Sequence, residues 1–292
     1  MNSLTPGLPR ISVITPSFNQ GRFLEETIES VLNQQYPNLE YIIIDGGSTD
    51  DSVQIIKRFE KYLAFWVSEP DRGQSEAINR GLRRATGEIV TWLNSDDLHF
   101  PDTLATIGSA FARFQEDVIY GDYALITSGG RIFLKRYEIP FHRDIMLYGV
   151  NFIGQASAFF RRSLLDRFGF LDENYQYAMD HELWIRLADG GASFRHIKHF
   201  LSKYRYHSDS KTVGAREKFC AEMDATRKKY GDAESPFARR IRGYWARLKR
   251  QLIKMSYRGR IDFLGGSLNR VWYRWVKAFE KPVGPRTQRS DR

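Results

Sequence analysis

The chain has 292 residues, with 44 Lys and Arg against 35 Asp and Glu and a formal net charge of +9 at neutral pH. That length allows one large domain, or one domain with an appendage. A composition of 42% hydrophobic and 27% charged residues is globular and excludes a disordered or collagen-like chain. The single cysteine, Cys220, excludes an intrachain disulfide and any cysteine-cluster metal site.

No run approaches the roughly 18 consecutive apolar residues of a membrane-spanning helix. The opening MNSLTPGLPR has no apolar leader core. Both features predict a cytoplasmic protein. The charge is unevenly spread. Residues 236–292 carry 16 Lys and Arg against 3 Asp and Glu, which leaves 28 against 32 for the rest. A mildly acidic body and a strongly basic tail suggest two regions with different partners.

The elements follow in chain order. Ile11 to Thr15 is a β-branched run that Pro16 should stop. Glu25 to Asn33 has apolar residues at helical spacing, and Tyr41 to Ile44 is an apolar strand ending at Asp45-Gly46-Gly47. Val53, Ile56 and Phe59 predict a helix capped by Asp50 or Asp51. Ala64 to Val67 is a third strand. Ala77 to Leu82 marks a third helix, and Glu88 to Leu93 is a fourth strand ending at Asn94-Ser95-Asp96-Asp97. Buried strands alternating with helices predict an α/β fold on a mostly parallel sheet. Beyond residue 100 a helix through Leu104 and Phe111 is followed by a hairpin, Val118 to Ile126 and Arg131 to Tyr137, around Ser128-Gly129-Gly130. A further helix starts near Asp180 and ends at Gly190-Gly191. Phe194 to Ile197 and Leu201 to Tyr206 read as two short strands. After Glu217 the pattern is helical, with a boundary at Pro236 and basic, aromatic-rich helices over Arg239 to Met255 and Phe263 to Phe279.

Ligands of an open parallel sheet bind beyond the carboxyl ends of its strands. Three polar clusters fall there: Pro16-Ser17-Phe18-Asn19, Asp45 to Asp50, and Asn94 to Asp97. A carboxylate after a buried strand is costly unless it is hydrogen-bonded or binds a cation. A single one is an ordinary helix cap, but three within a hundred residues point to a site.

The series PSFNQ, IIIDGGSTD, EPDRGQSEAINRG, GEIVTWLNSDD and MDHELWIRL resembles the inverting glycosyltransferases of family 2, which have the GT-A fold. The resemblance spans about residues 10–210 and implies a division into a GT-A domain, 1–213, and a helical basic extension, 214–292. It implies transfer of a sugar from a nucleotide diphosphate donor, a UDP-sugar foremost, to a hydroxyl acceptor, in polysaccharide or glycolipid synthesis. It places Pro16, Ser17, Asn19, Asp45, Arg72 and Gln74 in the nucleotide pocket and puts Gln155 near a sugar. Asn94-Ser95-Asp96 stands at the family's Asp-x-Asp position, with Asn94 in place of the first acid. Asp96 is then the ligand for Mg²⁺ or Mn²⁺, with His207 as a second, because a hard cation neutralises a departing diphosphate. Asp180 is the implied general base for the acceptor hydroxyl, with Glu182 as its fallback. Gly46 stands where many relatives carry a second acid. The alternative is a catalytically degenerate nucleotide-sugar-binding or scaffold protein of the same fold. The basic aromatic tail suits an anionic membrane surface and thus a peripheral position on the inner membrane face. An oligomer contact, or a cover over the body, uses the same residues. No RNA-binding motif is present, and no nucleic acid is expected.

Overall fold

A computed structural model describes residues 7–207, 215–231 and 235–258. The first half alternates β1 (Ile11–Ser17), α1 (Gly21–Leu32), β2 (Leu39–Asp45), α2 (Ser52–Phe59), β3 (Phe65–Ser68), α3 (Gln74–Arg84) and β4 (Ile89–Trp92). Every residue of β1 and β4 is buried, as the unbroken apolar runs require of strands covered on both faces. The second half adds β5 (Leu98–His99), α4 (Thr103–Arg113), β6 (Val118–Thr127), β7 (Ile132–Arg136), β8 (Ala158–Arg161), α5 (Ser163–Phe168), α6 (Met179–Asp189) and β9 (Phe194–Tyr206). Helices α7 (Arg216–Tyr230) and α8 (Pro236–Arg258) follow.

The nine strands make one sheet in the order β3-β2-β1-β4-β8-β6-β9-β5, with β7 on the far half of β6. Pairing is parallel from β3 through β4. Strand β8 then enters antiparallel between β4 and β6, while β9 lies parallel to β6. The sheet is therefore parallel where the donor clusters sit and mixed beyond them.

Two details differ from the sequence pattern. Pro16 does not end β1, which runs on to Ser17. The β1–β4 pairing ends at Ile14 and Trp92, so no strand remains on the side where Pro16 lacks a donor. The β2 side stays bonded, the Ser17 carbonyl accepting from the Gly46 N–H at 2.8 Å. The two short strands expected at 194–197 and 201–206 are one strand, β9. The polar interruption between them is carried by irregular pairing with β6 around Gly121, a bulge that leaves the strand continuous.

The core lies between the sheet and its helices. Ile11, Val13 and Ile43 of the sheet pack with Leu24, Ile28 and Val31 of α1. Each fully buried aliphatic contributes about 1.5–3 kcal/mol. Trp92 at the end of β4 stacks on Trp184 of α6, ring centres 6.1 Å apart. That contact fixes α6 against the sheet and so sets where its first turn points.

The chain divides into two compact units after Lys249. Helix α7 belongs to the first and packs on α6. Of the second unit only residues 250–258 are described, and the helix expected over 263–279 lies outside the described residues.

Candidate active site

A cavity of about 570 Å³ opens at the carboxyl ends of β1, β2 and β4. It is lined by Pro16 and Ser17 at the end of β1 and Phe18 and Gln20 just after it, by Gly46 after β2, by Asp71, Gly73, Gln74 and Ala77 around the start of α3, and by Asn94 to Asp97. Tyr204 and Arg205 of β9 close it from the other half of the sheet. Pro16, Ser17, Gln74, Asn94, Ser95 and Asp96 thus meet in one cleft.

Asp45 does not line the cleft. It is fully buried and shapes the turn that does. Its carboxylate accepts the Ser48 N–H at 2.8 Å, the Ser48 hydroxyl at 2.6 Å, the Ser68 hydroxyl at 2.7 Å and, more weakly, the Gly47 N–H at 3.2 Å. Gly47 sits at φ +81°, a conformation glycine adopts without strain. Asn19, also left-handed at φ 51°, ties β1 to this turn by accepting the Thr49 N–H at 2.8 Å.

The acid that faces the cleft here is Asp71. Its Oδ2 lies 2.7 Å from where a Cβ on Gly46 would stand, so a side chain at Gly46 would push this carboxylate aside. Burial raises the pKa of Asp71, with the charges of Glu76 and Asp45 adding to it. Arg72 points outward, its side chain 78% exposed, and pairs with Glu76 and Glu173 at 2.8 and 2.6 Å.

The loop after β4 is held from three sides. The Thr27 hydroxyl of α1 lies 3.0 and 2.9 Å from the carbonyls of Ser95 and Asp97. The Arg205 guanidinium, itself buried, donates to the Asp96 carbonyl, the Ser128 carbonyl and the Glu26 carboxylate at 2.9, 2.7 and 2.6 Å. The Arg205 N–H donates to Asp97 at 3.0 Å. Asp97 is buried. Desolvation, followed by the neighbouring Asp96 charge, pushes its pKa well above the usual carboxylate range. Asn94 relieves that strain by donating to Asp97 at 3.2 Å while its oxygen accepts from Gln74 at 2.6 Å. A carboxylate in place of Asn94 would remove that donor and add a third negative charge.

Asp96 Oδ2 meets His207 Nε2 at 2.9 Å, and Arg22 donates to His207 Nδ1 at 2.9 Å. A guanidinium only donates, so Nδ1 accepts and Nε2 carries the hydrogen given to Asp96. Among the described residues no three His, Cys, Asp or Glu side chains converge on one point. A cation held here would have Asp96 as its protein carboxylate, and His207 could join only if its ring hydrogen moved to Nδ1 and Arg22 turned away from that nitrogen. Hard cations such as Mg²⁺ are commonly held by one or two carboxylates, with substrate phosphates and waters completing the shell, and the donor set fits that description. Ser17 Oγ, buried at the cleft wall, has no partner among the described residues. A buried hydroxyl left unpaired is costly, and one on a cavity wall is placed to meet a ligand.

Asp180 stands at the first turn of α6, half-buried, and accepts from Asn151 at 2.8 Å. Burial raises its pKa to about 6; the Asn151 hydrogen bond opposes the rise and the Glu222 charge adds to it. Asp180 is not among the residues that line the cleft; its charge, with that of Asp97, bears on Tyr204, which does line it. Asn151 Oδ1 beside Asp180 is likewise buried with no partner among the described residues. Glu182 is fully buried on another face of α6. It is engaged by Arg186 at 2.9 Å, Lys229 at 3.1 Å and the Tyr230 hydroxyl at 2.5 Å. Burial works against its ionisation, yet these bonds hold its pKa below the usual value. Gln155 is buried and donates to the Trp92 carbonyl, which turns its amide into the sheet.

Sequence reasoning placed the segment Asp71 to Gln74 in the nucleotide pocket without giving Asp71 a role of its own, and it missed Tyr204, Arg205, Asn151 and Glu222. Tyr204 and Arg205 lie beside His207, already singled out. Asn151 and Glu222 carry no local signal.

The cleft at a parallel-sheet edge, closed by a mixed second half, is the architecture of the GT-A glycosyltransferases. The mannosyltransferase PcManGT of Pyrobaculum calidifontis, in complex with GDP-Man and Mn²⁺, superposes with a TM-score of 0.62 at 21% identity over 94% of this chain and 84% of that one. S. aureus TarS in complex with UDP-GlcNAc gives 0.62 at 19% identity over 86% and 76%. The family model for glycosyl transferase family 2 matches residues 12–169. The chain belongs to that family. A Campylobacter jejuni relative, GalNAc(5)-diNAcBac-PP-undecaprenol beta-1,3-glucosyltransferase, is 28% identical over 223 residues, 71% of this chain and 69% of that protein.

Proposed function

We propose that this glycosyltransferase works by single displacement with inversion, moving a sugar from a nucleotide diphosphate donor to an acceptor hydroxyl. The observation that carries the reading is the cleft at the ends of β1, β2 and β4 with Asp96 in its lining; Asp180 lies outside that lining and bears on it through the charge felt by Tyr204. Pro16, Ser17, Asp71 and Gln74 receive the nucleoside. Asp45 acts through the turn it shapes, and Asn19 through the same turn. Arg72 and Gln155 support the pocket from outside and from beneath.

Asp96, with His207, would hold a divalent cation, Mg²⁺ or Mn²⁺, which supplies charge neutralisation to the departing diphosphate. Asn94 keeps Gln74 and the buried Asp97 in place beside it. Asp180 takes the proton of the acceptor hydroxyl as that oxygen attacks the anomeric carbon. A pKa near 6 leaves it ionised at neutral pH, yet basic enough to accept a proton. Glu182 has no such freedom, because its oxygens are already bonded. The family-2 relative named for a polyprenol-diphosphate-linked substrate supports a lipid-linked glycan as acceptor. Among the described residues no helix is long and apolar enough to cross a membrane, so we infer a peripheral contact for such an acceptor.

A panel of UDP-, GDP- and dTDP-sugars, incubated with Mn²⁺ and a lipid-linked acceptor extract, tests the reading. One donor should give product whose anomeric configuration, read by NMR, is opposite to that of the donor. Asp180→Asn should abolish transfer and leave nucleotide binding intact. Product with retained configuration, or loss of nucleotide binding in Asp180→Asn, would overturn it.

A further inference from the structure

Helix α8 faces the wrong way for a helix that only completes a fold. Its small residues Gly243 and Ala246 are turned inward against the turn at Ile145–Gly149. A Cβ on Gly243 would stand 3.0 Å from the Tyr148 carbonyl, and one on Gly149 would stand 3.2 Å from Ala246 Cβ. The large apolar residues are turned outward. Phe237 is 73% exposed and Trp245 60%, and Ile241, Tyr244 and Leu248 are also exposed. At helical spacing these fall within an arc of about 100°, the width at which a surface helix ordinarily buries its apolar face. Five of the ten exposed large hydrophobics among the described residues lie on α8 before the division at Lys249, so this is one patch rather than scattered exposure.

The edges of the stripe are cationic. Arg240 and Arg247 flank it on one side and Arg242 and Lys249 on the other, all exposed. The helix holds eight Lys and Arg and no Asp or Glu. We propose that this face of α8 lies in the surface of an anionic bilayer, its apolar stripe at the acyl boundary and its flanking cations among the headgroup phosphates. Charge chooses the occupant. A second copy would bring the same four flanking cations to the contact. Residues 259–292 would bring eight Lys and Arg against three acids. Only an anionic surface brings the opposite sign.

The placement also concerns the reaction. The turn at Ile145–Gly149 that carries α8 also accepts a hydrogen bond from His181, next to Asp180, through the Met146 carbonyl at 2.9 Å. The membrane contact is thus built onto the support of the acceptor-side acid. This last point rests on the acceptor reading above; the lipid contact itself does not.

The test is flotation of the full chain with vesicles of phosphatidylcholine alone, and of phosphatidylcholine mixed with phosphatidylglycerol. The chain should float with the mixed vesicles and not with the neutral ones. Trp245→Ser with Leu248→Ser should lower the partition coefficient about tenfold or more, as should Arg240→Glu with Arg247→Glu. All four side chains are exposed, so both variants should keep wild-type circular dichroism and nucleotide release with a water-soluble acceptor. Those two controls separate failure of the surface from failure of the enzymatic reading. Absence of flotation, or flotation that neither variant weakens, would overturn the proposal. So would a concentration-dependent dimer that Trp245→Ser dissociates.

Discussion

Glu222 on α7 and Asp180 on α6 are coupled through the three residues that precede the helix start. The Glu222 carboxylate accepts the backbone N–H groups of Gln176, Tyr177 and Ala178 at 2.8, 2.8 and 2.7 Å. It therefore fixes the segment that leads into Asp180. Its charge also bears on the Asp180 proton and raises the pKa of that acid. A helix from the region read as an appendage thus sets both the position and the basicity of the proposed base.

Transfer at saturating donor should fall as pH drops through about 6, because Asp180 must be ionised to accept a proton and its pKa is raised to that value. Asn151→Ala removes a hydrogen bond that favours the ionised form, so the acid limb should move to higher pH. Glu222→Gln removes a charge that disfavours it, so the limb should move to lower pH. Rate profiles of the three proteins check this. Limbs that coincide would mean another group titrates.

Gly46→Ala should weaken nucleotide binding about tenfold with little change in Tm. The added methyl would stand 2.7 Å from Asp71 Oδ2, and the cheap way to relieve the clash is to swing that carboxylate out of the cleft. Isothermal titration with UDP and GDP reads the effect. Unaltered affinity would show that Asp71 does not contact the nucleotide.

Asn94→Asp should tighten Mn²⁺ binding in the absence of nucleotide, by about tenfold, since a carboxylate joins Asp96 at the cation. The same change costs Asp97 the donor on its Oδ2, leaving only the Arg205 N–H on Oδ1, and should lower the melting temperature. Electron paramagnetic resonance of free Mn²⁺, with a thermal melt, measures both.

Arg205→Met should destabilise the fold by about 3 kcal/mol, because it leaves the Asp96 and Ser128 carbonyls without their donor and Glu26 without its partner. Denaturant unfolding gives the value. A loss below about 1 kcal/mol would mean water replaces those bonds at no cost.

The parallel half was legible because its signals are local. Each strand is an apolar run and each site cluster sits at a strand end, so Ser17, Asn94 and Asp96 could be placed without coordinates. The second half mixes parallel and antiparallel pairing through contacts distant in sequence, and nothing near Ala158 marks β8 as the strand joining the two halves. Asp45 and Asp71 illustrate the limit within the site. Both follow strands and both are acids. Only the count of donors around Asp45, set by the fold of its own turn and by Ser68 on the neighbouring strand, shows that it looks inward while Asp71 looks into the cleft. Glu222 was illegible for the opposite reason, since its partners are main-chain groups, which any sequence would supply.

Strand β9 has a consequence for anyone wishing to recombine this enzyme with a relative. The chain leaves the donor side after Asp97, builds the rest of the sheet, and only then returns Tyr204, Arg205 and His207 to the cleft. Arg205 reaches back to Glu26 on the first helix, and His207 to Arg22. A hybrid with a single junction between the halves would therefore mismatch these pairs. A viable exchange has to carry the last few residues of β9 along with the N-terminal parent, as a two-crossover graft.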